Sequence, residues 1–130
     1  MQEPFELGNQ PVIAFVATRD AEGARKFYRD ILGLDLVLDQ LPFALVFDAC
    51  GTMLRVTPVR ELHPAAYTVL GWQVPDIVAA AKAMEKAGVR FERYPSLEQD
   101  ELGIWTAPGG AARVAWFKDP DGNTLSISQH

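Results

Sequence analysis

Residues 11–33, PVIAFVATRDAEGARKFYRDILG, contain the punctuation that decides the fold. The apolar run 11–17 reads as a strand. Residues 21–32 read as an amphipathic helix, because Ala24, Phe27, Ile31 and Leu32 recur at helical spacing. Asp20 stands where a carboxylate can accept from the free N–H groups of the first turn. Gly33 follows the last apolar residue, the place for a left-handed cap. Beyond it come short apolar runs at 34–39, 43–48 and 52–57, separated by Pro42 and by Cys50–Gly51.

The same order then recurs. Residues 58–66 read as a linker, with two prolines and no apolar period. A strand is expected at 67–74. Asp76 then caps a second helix with Ile77, Ala80, Ala81, Met84 and Ala87 on one face, and Gly88 ends it. Strands are expected around 89–94, 111–117 and 123–128, with Asp119-Pro120-Asp121-Gly122 as a turn. The polar stretch 95–110 reads as a long loop holding a small hairpin around Ile104–Thr106. Cap to closing glycine is 13 positions in the first half and 12 in the second. This is an internal βαβββ duplication. The expected class is α+β, a single domain over 1–130 with module one at 11–57, linker 58–66 and module two at 67–129.

Composition narrows the function. The chain has 130 residues, 48% hydrophobic, with a net charge of −5, too apolar for disorder and too acidic for a phosphate-binding nucleic-acid module. No eighteen-residue apolar run suits a membrane span, and Met1–Pro11 has no apolar stretch of leader length. The single Cys50 can form no internal disulfide, which fits a cytoplasmic setting. It precedes a tight-turn glycine with no basic neighbour, and reads as a structural thiol.

Strand alternation separates two faces. One carries Val12, Ala14, Val16, Leu54, Val56, Leu70, Trp72, Val74, Leu125 and Ile127, and is expected to pack on the helices. The other carries Ile13, Phe15, Ala17, Met53, Arg55, Thr57, Tyr67, Val69, Gly71, Gln73, Thr124, Ser126 and Ser128. Aromatics, hydroxyls and one arginine together suit the wall of a small-ligand pocket. Phe15, Met53 and Tyr67 supply an adaptable apolar wall, and Arg55 a planar fork for a carboxylate or phosphate, unless an acidic side chain pairs with it. Trp105, between Gly103 and Pro108, is the candidate lid; Trp116 and Trp72 are expected in the core. His63 and the terminal His130 lack catalytic partners at recognisable spacing, and Glu98, Asp100 and Glu101 read as a solvated loop. Pro108-Gly109-Gly110 is not a phosphate loop, since no Lys-Ser/Thr follows.

The segments FVATRDAEGARKFYRDILGL (15–34) and FKDPDGNTLSI (117–127) together resemble the paired motifs of the vicinal oxygen chelate superfamily, which includes glyoxalase I, extradiol dioxygenases and the fosfomycin- and bleomycin-resistance proteins. The resemblance covers roughly 11–129. It implies a curved mixed sheet around a cavity with helices on the outer face, and a homodimer. In metal-dependent members the ligands lie seven residues before each helix-opening aspartate and four after each closing glycine. Here those positions hold Ile13, Val69, Arg55 and Ser126. Two have no donor atoms, one is a cation, and one is a weak neutral oxygen. The expectation is therefore a member without metal or other cofactor, like the bleomycin-resistance branch. It would bind a small molecule of aromatic or anionic character through Phe15, Met53, Arg55, Tyr67, Trp105 and Ser126, with no catalytic residue assigned. Two alternatives remain open. One is a metal-dependent lyase, isomerase or dioxygenase whose metal is displaced toward His63 or Glu101. The other is a structural module whose groove takes a peptide.

Overall fold

A computed structural model describes residues 4–130; the reading of Met1–Glu3 lies outside the described residues. A 3₁₀ turn at Leu7–Asn9 precedes β1 (Ile13–Thr18), α1 (Ala21–Arg25, continued by a π-helical segment Lys26–Ile31), β2 (Asp35–Gln40), β3 (Ala44–Ala49) and β4 (Thr52–Pro58). The second half runs β5 (Leu70–Gln73), α2 (Ile77–Lys86), β6 (Trp105–Thr106), β7 (Arg113–Lys118) and β8 (Thr124–Gln129). Each half forms one four-stranded mixed sheet, β1-β4-β3-β2 and β5-β8-β7-β6. The outer pair β1–β4 is parallel, as is β5–β8, and the other pairings are antiparallel. Two βαβββ modules are thus present. Within one chain the expected sheet is divided in two, and no closed barrel forms.

The caps form as the side-chain chemistry requires. Asp20 accepts from the Gly23 N–H and Asp76 from the Ala79 N–H, both at 3.1 Å. Gly33 and Gly88 take φ values of 79° and 103° after the helices, conformations that cost a side chain-bearing residue dearly. The first helix departs from simple periodicity. Leu32 N–H bonds the Phe27 carbonyl, five residues back, which widens the turn. The buried face becomes Ala24, Phe27 and Tyr28, while Ile31, expected in the core, is exposed.

Strand boundaries differ from expectation in the second half. Residues 89–94 supply only an isolated Phe91–Phe117 bridge, and the fourth strand is the short β6. The physical reason lies in the loop. The Gln99 side chain bonds the Tyr94 N–H and the carbonyls of Glu92 and Gly103, so these peptide groups are satisfied without a long strand. Tyr67 and Val69 precede β5 rather than opening it. Val12 likewise precedes β1 and is 73% exposed, not packed on a helix.

One core joins both modules. Val16, Phe27, Tyr28, Phe47, Leu54 and Val56 cluster with Ile77, Ala81, Phe117, Leu125 and Ile127, so the helix-bearing faces of both sheets share it. Trp72 packs against this core, stacked on Phe117 at 6.3 Å, as expected. A polar clamp crosses the same junction. The fully buried Tyr28 hydroxyl donates to Asp119 at 2.7 Å. Asp121 accepts from the Thr18 hydroxyl at 2.5 Å and from the Arg19 N–H at 2.8 Å, and Asn123 donates to the Ala17 carbonyl. The Asp119–Asn123 segment is thus a turn and also the fastener between modules.

Burial, with the Asp119 charge beside it, pushes the Tyr28 hydroxyl far above the ordinary tyrosine value of about 10. The fold holds this proton more tightly than the unfolded chain does. Its contribution to stability is complete below about pH 10 and is lost as the pH rises beyond it. Urea unfolding between pH 8 and 11.5 is expected to show a steeper alkaline loss for the wild type than for Tyr28→Phe. Parallel curves would count against this assignment.

Candidate functional site

The face of each sheet turned away from the helices is left open. In the first sheet the register sets Phe15 opposite Arg55, with Val46 on Arg55's other side and Met53 opposite Ile13. Phe15 is 63% exposed and Met53 41%. Such apolar exposure on adjacent strands is unusual for a surface in contact only with water. Arg55 is half-buried there. It makes no ion pair among the described residues, where the pairs belong to Arg25, Arg29 and Lys118. The guanidinium hydrogen bonds present belong to Arg25, Arg29 and Arg93. The internal partner that would make Arg55 merely structural is not found, and its donor fork stays free above an apolar floor.

In the second sheet the same register sets Gly71 opposite Ser126, and Ser126 opposite Trp116. Trp116 is therefore on the open face, not in the core. Its ring meets Trp105 at 6.0 Å and Tyr94 edge-on at 5.6 Å. Trp105, the candidate lid, stands in the two-residue β6 beside these rings. Ser126 is nearly buried on this face. A Cβ on Gly71 would lie 2.7 Å from the Ser126 hydroxyl, which would have to rotate away, so glycine leaves a notch above that hydroxyl. Tyr94 loses solvent in this cluster, with Glu92 adding a negative charge nearby, and both raise its ionisation above the ordinary tyrosine value.

The structure thus brings together Phe15, Met53 and Arg55 on one sheet and Trp105 and Ser126 on the other. It does not join the two groups within the chain. Every inter-module hydrogen bond of the clamp comes from Thr18, Arg19, Tyr28 or Ala17 on one side, none from the open-face side chains. Tyr67 stands apart on the loop entering β5 and is 71% exposed. Tyr94 and Trp116 are additions to the sequence-derived set. The alternation that placed Ser126 on this face could have placed Trp116 there too, had the β7–β8 register been known.

The four positions at which the resemblance would place metal ligands hold Ile13, Arg55 and Ser126 on strands and Val69 just before β5. Their chemistry does not fit a divalent cation. One neutral hydroxyl is the only donor, and a guanidinium stands where a ligand is needed. Elsewhere, no group of three His, Cys, Asp or Glu side chains is assembled among the described residues. His63 is exposed in the inter-module loop, and Glu101 is exposed with its carbonyl accepting from Arg93. Asp100 caps the Leu102 and Ile104 N–H groups, so this acidic residue braces its loop. His130 lies against the Ser128 hydroxyl at 3.1 Å.

Comparison with known proteins agrees with this architecture. The family profile described as Glyoxalase/Bleomycin resistance protein/Dioxygenase superfamily matches residues 10–127. No curated protein matches. Among solved structures, the chain is similar to a lactoylglutathione lyase from Agrobacterium tumefaciens, with 18% identity, 93% of each chain covered and a TM-score of 0.70. It is similar to a fosfomycin resistance protein from Listeria monocytogenes, with 13% identity, 94% of this chain and 93% of that one covered, and a TM-score of 0.73. A superfamily member from Sphaerobacter thermophilus is 25% identical over 93% of this chain and 97% of its own, with a TM-score of 0.71.

Proposed function

Because the chain belongs to the glyoxalase/bleomycin resistance protein/dioxygenase superfamily, we propose that it is a metal-free small-molecule-binding protein akin to the bleomycin-resistance branch. The observation that carries this reading is Arg55, a guanidinium with no ion pair among the described residues, set among exposed apolar side chains at a position where a metal ligand would otherwise stand. An anionic group on the ligand would supply its missing partner. The chain is one domain, its modules spanning 11–57 and 67–129 with the linker 58–66 between them.

Each open face is half a cavity. We read the assembly as a homodimer in which module one of one protomer faces module two of the other. Ile13, Phe15, Met53 and Val69 would then be covered, and β1 and β5, both at sheet edges, would meet across the interface. The exposed, unpaired Cys50 suits a cytoplasmic location. Among the described residues no helix is long and apolar enough to cross a membrane.

The test is metal analysis of purified protein with sedimentation of the same sample. The expected results are a dimer and no stoichiometric Zn, Ni, Mn or Fe after dialysis, with an unfolding temperature unmoved by EDTA. Stoichiometric retained metal would overturn the metal-free reading, and a monomer at micromolar concentration would overturn the shared cavity. Arg55→Ala is expected to fold normally and to weaken binding of an anionic ligand about tenfold or more, since a charge-assisted hydrogen bond is lost. Calorimetry showing unchanged affinity would remove Arg55 from the site.

A further inference from the structure

The two modules are built to one plan, so their open faces can be compared position by position. Phe15 and Arg55 of the first sheet correspond to Gly71 and Ser126 of the second, each an opposed pair on parallel strands. Val46 corresponds to Trp116, and Gln40 to Trp105. The faces differ in size or charge at these positions. Module one carries a bulky ring and a cation. Module two carries a glycine notch and a hydroxyl beside two indoles. Large residues on one wall answer small ones on the other, and the cation on one wall answers aromatic rings on the other.

From this complementarity we infer that the cavity closed between two copies takes a flat aromatic carboxylate. Its anionic end would lie on Arg55 of one protomer and its ring on the partner's Trp105 and Trp116. The inference rests on the shared-cavity reading above. A carboxylate matches the guanidinium in planarity and offers two acceptor oxygens to two N–H donors. A saturated acid would satisfy the fork and waste the indoles. A neutral aromatic would stack and leave the guanidinium desolvated without a partner. Phe15 and Met53, flanking Arg55, exclude water from the ion pair and strengthen it. The Gly71 notch admits the ring edge down to the Ser126 hydroxyl.

The probe is 1-naphthoate, with 1-naphthalenemethanol and cyclohexanecarboxylate as controls that remove the charge and the aromaticity in turn. Tryptophan fluorescence of the full-length protein reports the contact. Saturable quenching by 1-naphthoate is expected, with both controls at least tenfold weaker. Arg55→Gln and Trp116→Leu should each weaken 1-naphthoate at least tenfold. The two variants, unfolded and refolded together in equal amounts, should then regain about a quarter of the wild-type sites, because two-fold symmetry gives every mixed dimer one intact cavity. That recovery also proves that both variant chains fold. No saturable binding of 1-naphthoate overturns the inference, as does either control binding as tightly. Recovery on mixing, with the alcohol as strong as the acid, would keep the shared cavity and remove the ligand class. Loss of binding in both variants with no recovery on mixing would instead sink the shared cavity.

Discussion

Asp119→Ala is expected to cost the fold about 3–5 kcal/mol, the range for emptying a buried polar network of its charged centre. One Asp119 oxygen accepts from the Tyr28 hydroxyl at 2.7 Å and the Asn123 amide at 2.8 Å. The other accepts from the backbone N–H groups of Asp121 and Asn123. Alanine leaves the Tyr28 hydroxyl, wholly buried, with no acceptor. The turn that positions Asp121 against Thr18 loosens at the same time. At this chain length the loss is a fall of about 10–20 °C in unfolding temperature. Tyr28→Phe removes only one hydrogen bond and should cost about 1–2 kcal/mol. Calorimetric unfolding of both variants checks the order. Equal, small losses would mean that the modules are held by apolar packing alone.

Phe117→Ala should be comparably severe, at about 3–5 kcal/mol, because a large buried ring is removed from a site that cannot collapse. Its ring lies 6.4 Å from Phe27, 6.3 Å from Trp72 and 5.9 Å from Phe91. Those neighbours come from the first helix, from β5 and from the loop after α2, so they cannot all move inward together. Phe117→Leu fills part of the space and should recover about half of the loss. Denaturant titration measures both. A loss below about 1 kcal/mol for the alanine variant would show that the rings repack freely.

These two residues show where sequence reasoning stopped. DPDGN was legible as a turn, since proline and glycine act within four residues. Its second role, bonding Tyr28 and Thr18 about a hundred residues away, has no local signature. The burial of Tyr28 has no local signature either, because its phenol is polar at the tip and the π-turn shifts the buried face. The same shift leaves Ile31 exposed. Trp116, expected in the core, stands on the open face because of its register against Ser126, which long-range pairing sets. Arg55, in contrast, was placed on the correct face by alternation alone. Whether it was paired could be answered only in three dimensions.

The sequence by itself determined the doubled βαβββ plan, the capped helices and the alternation that puts Phe15, Met53 and Arg55 on one face of the first sheet. All of these follow from interactions within a few residues of one another. The tertiary structure alone decided that the helix-bearing faces fuse into one core, that the sheets stay separate in one chain, and that Arg55 finds no ion-pair partner among the described residues. Those outcomes depend on pairings between residues far apart in the chain, where the choice among many possible contacts is made by packing and burial of the whole molecule.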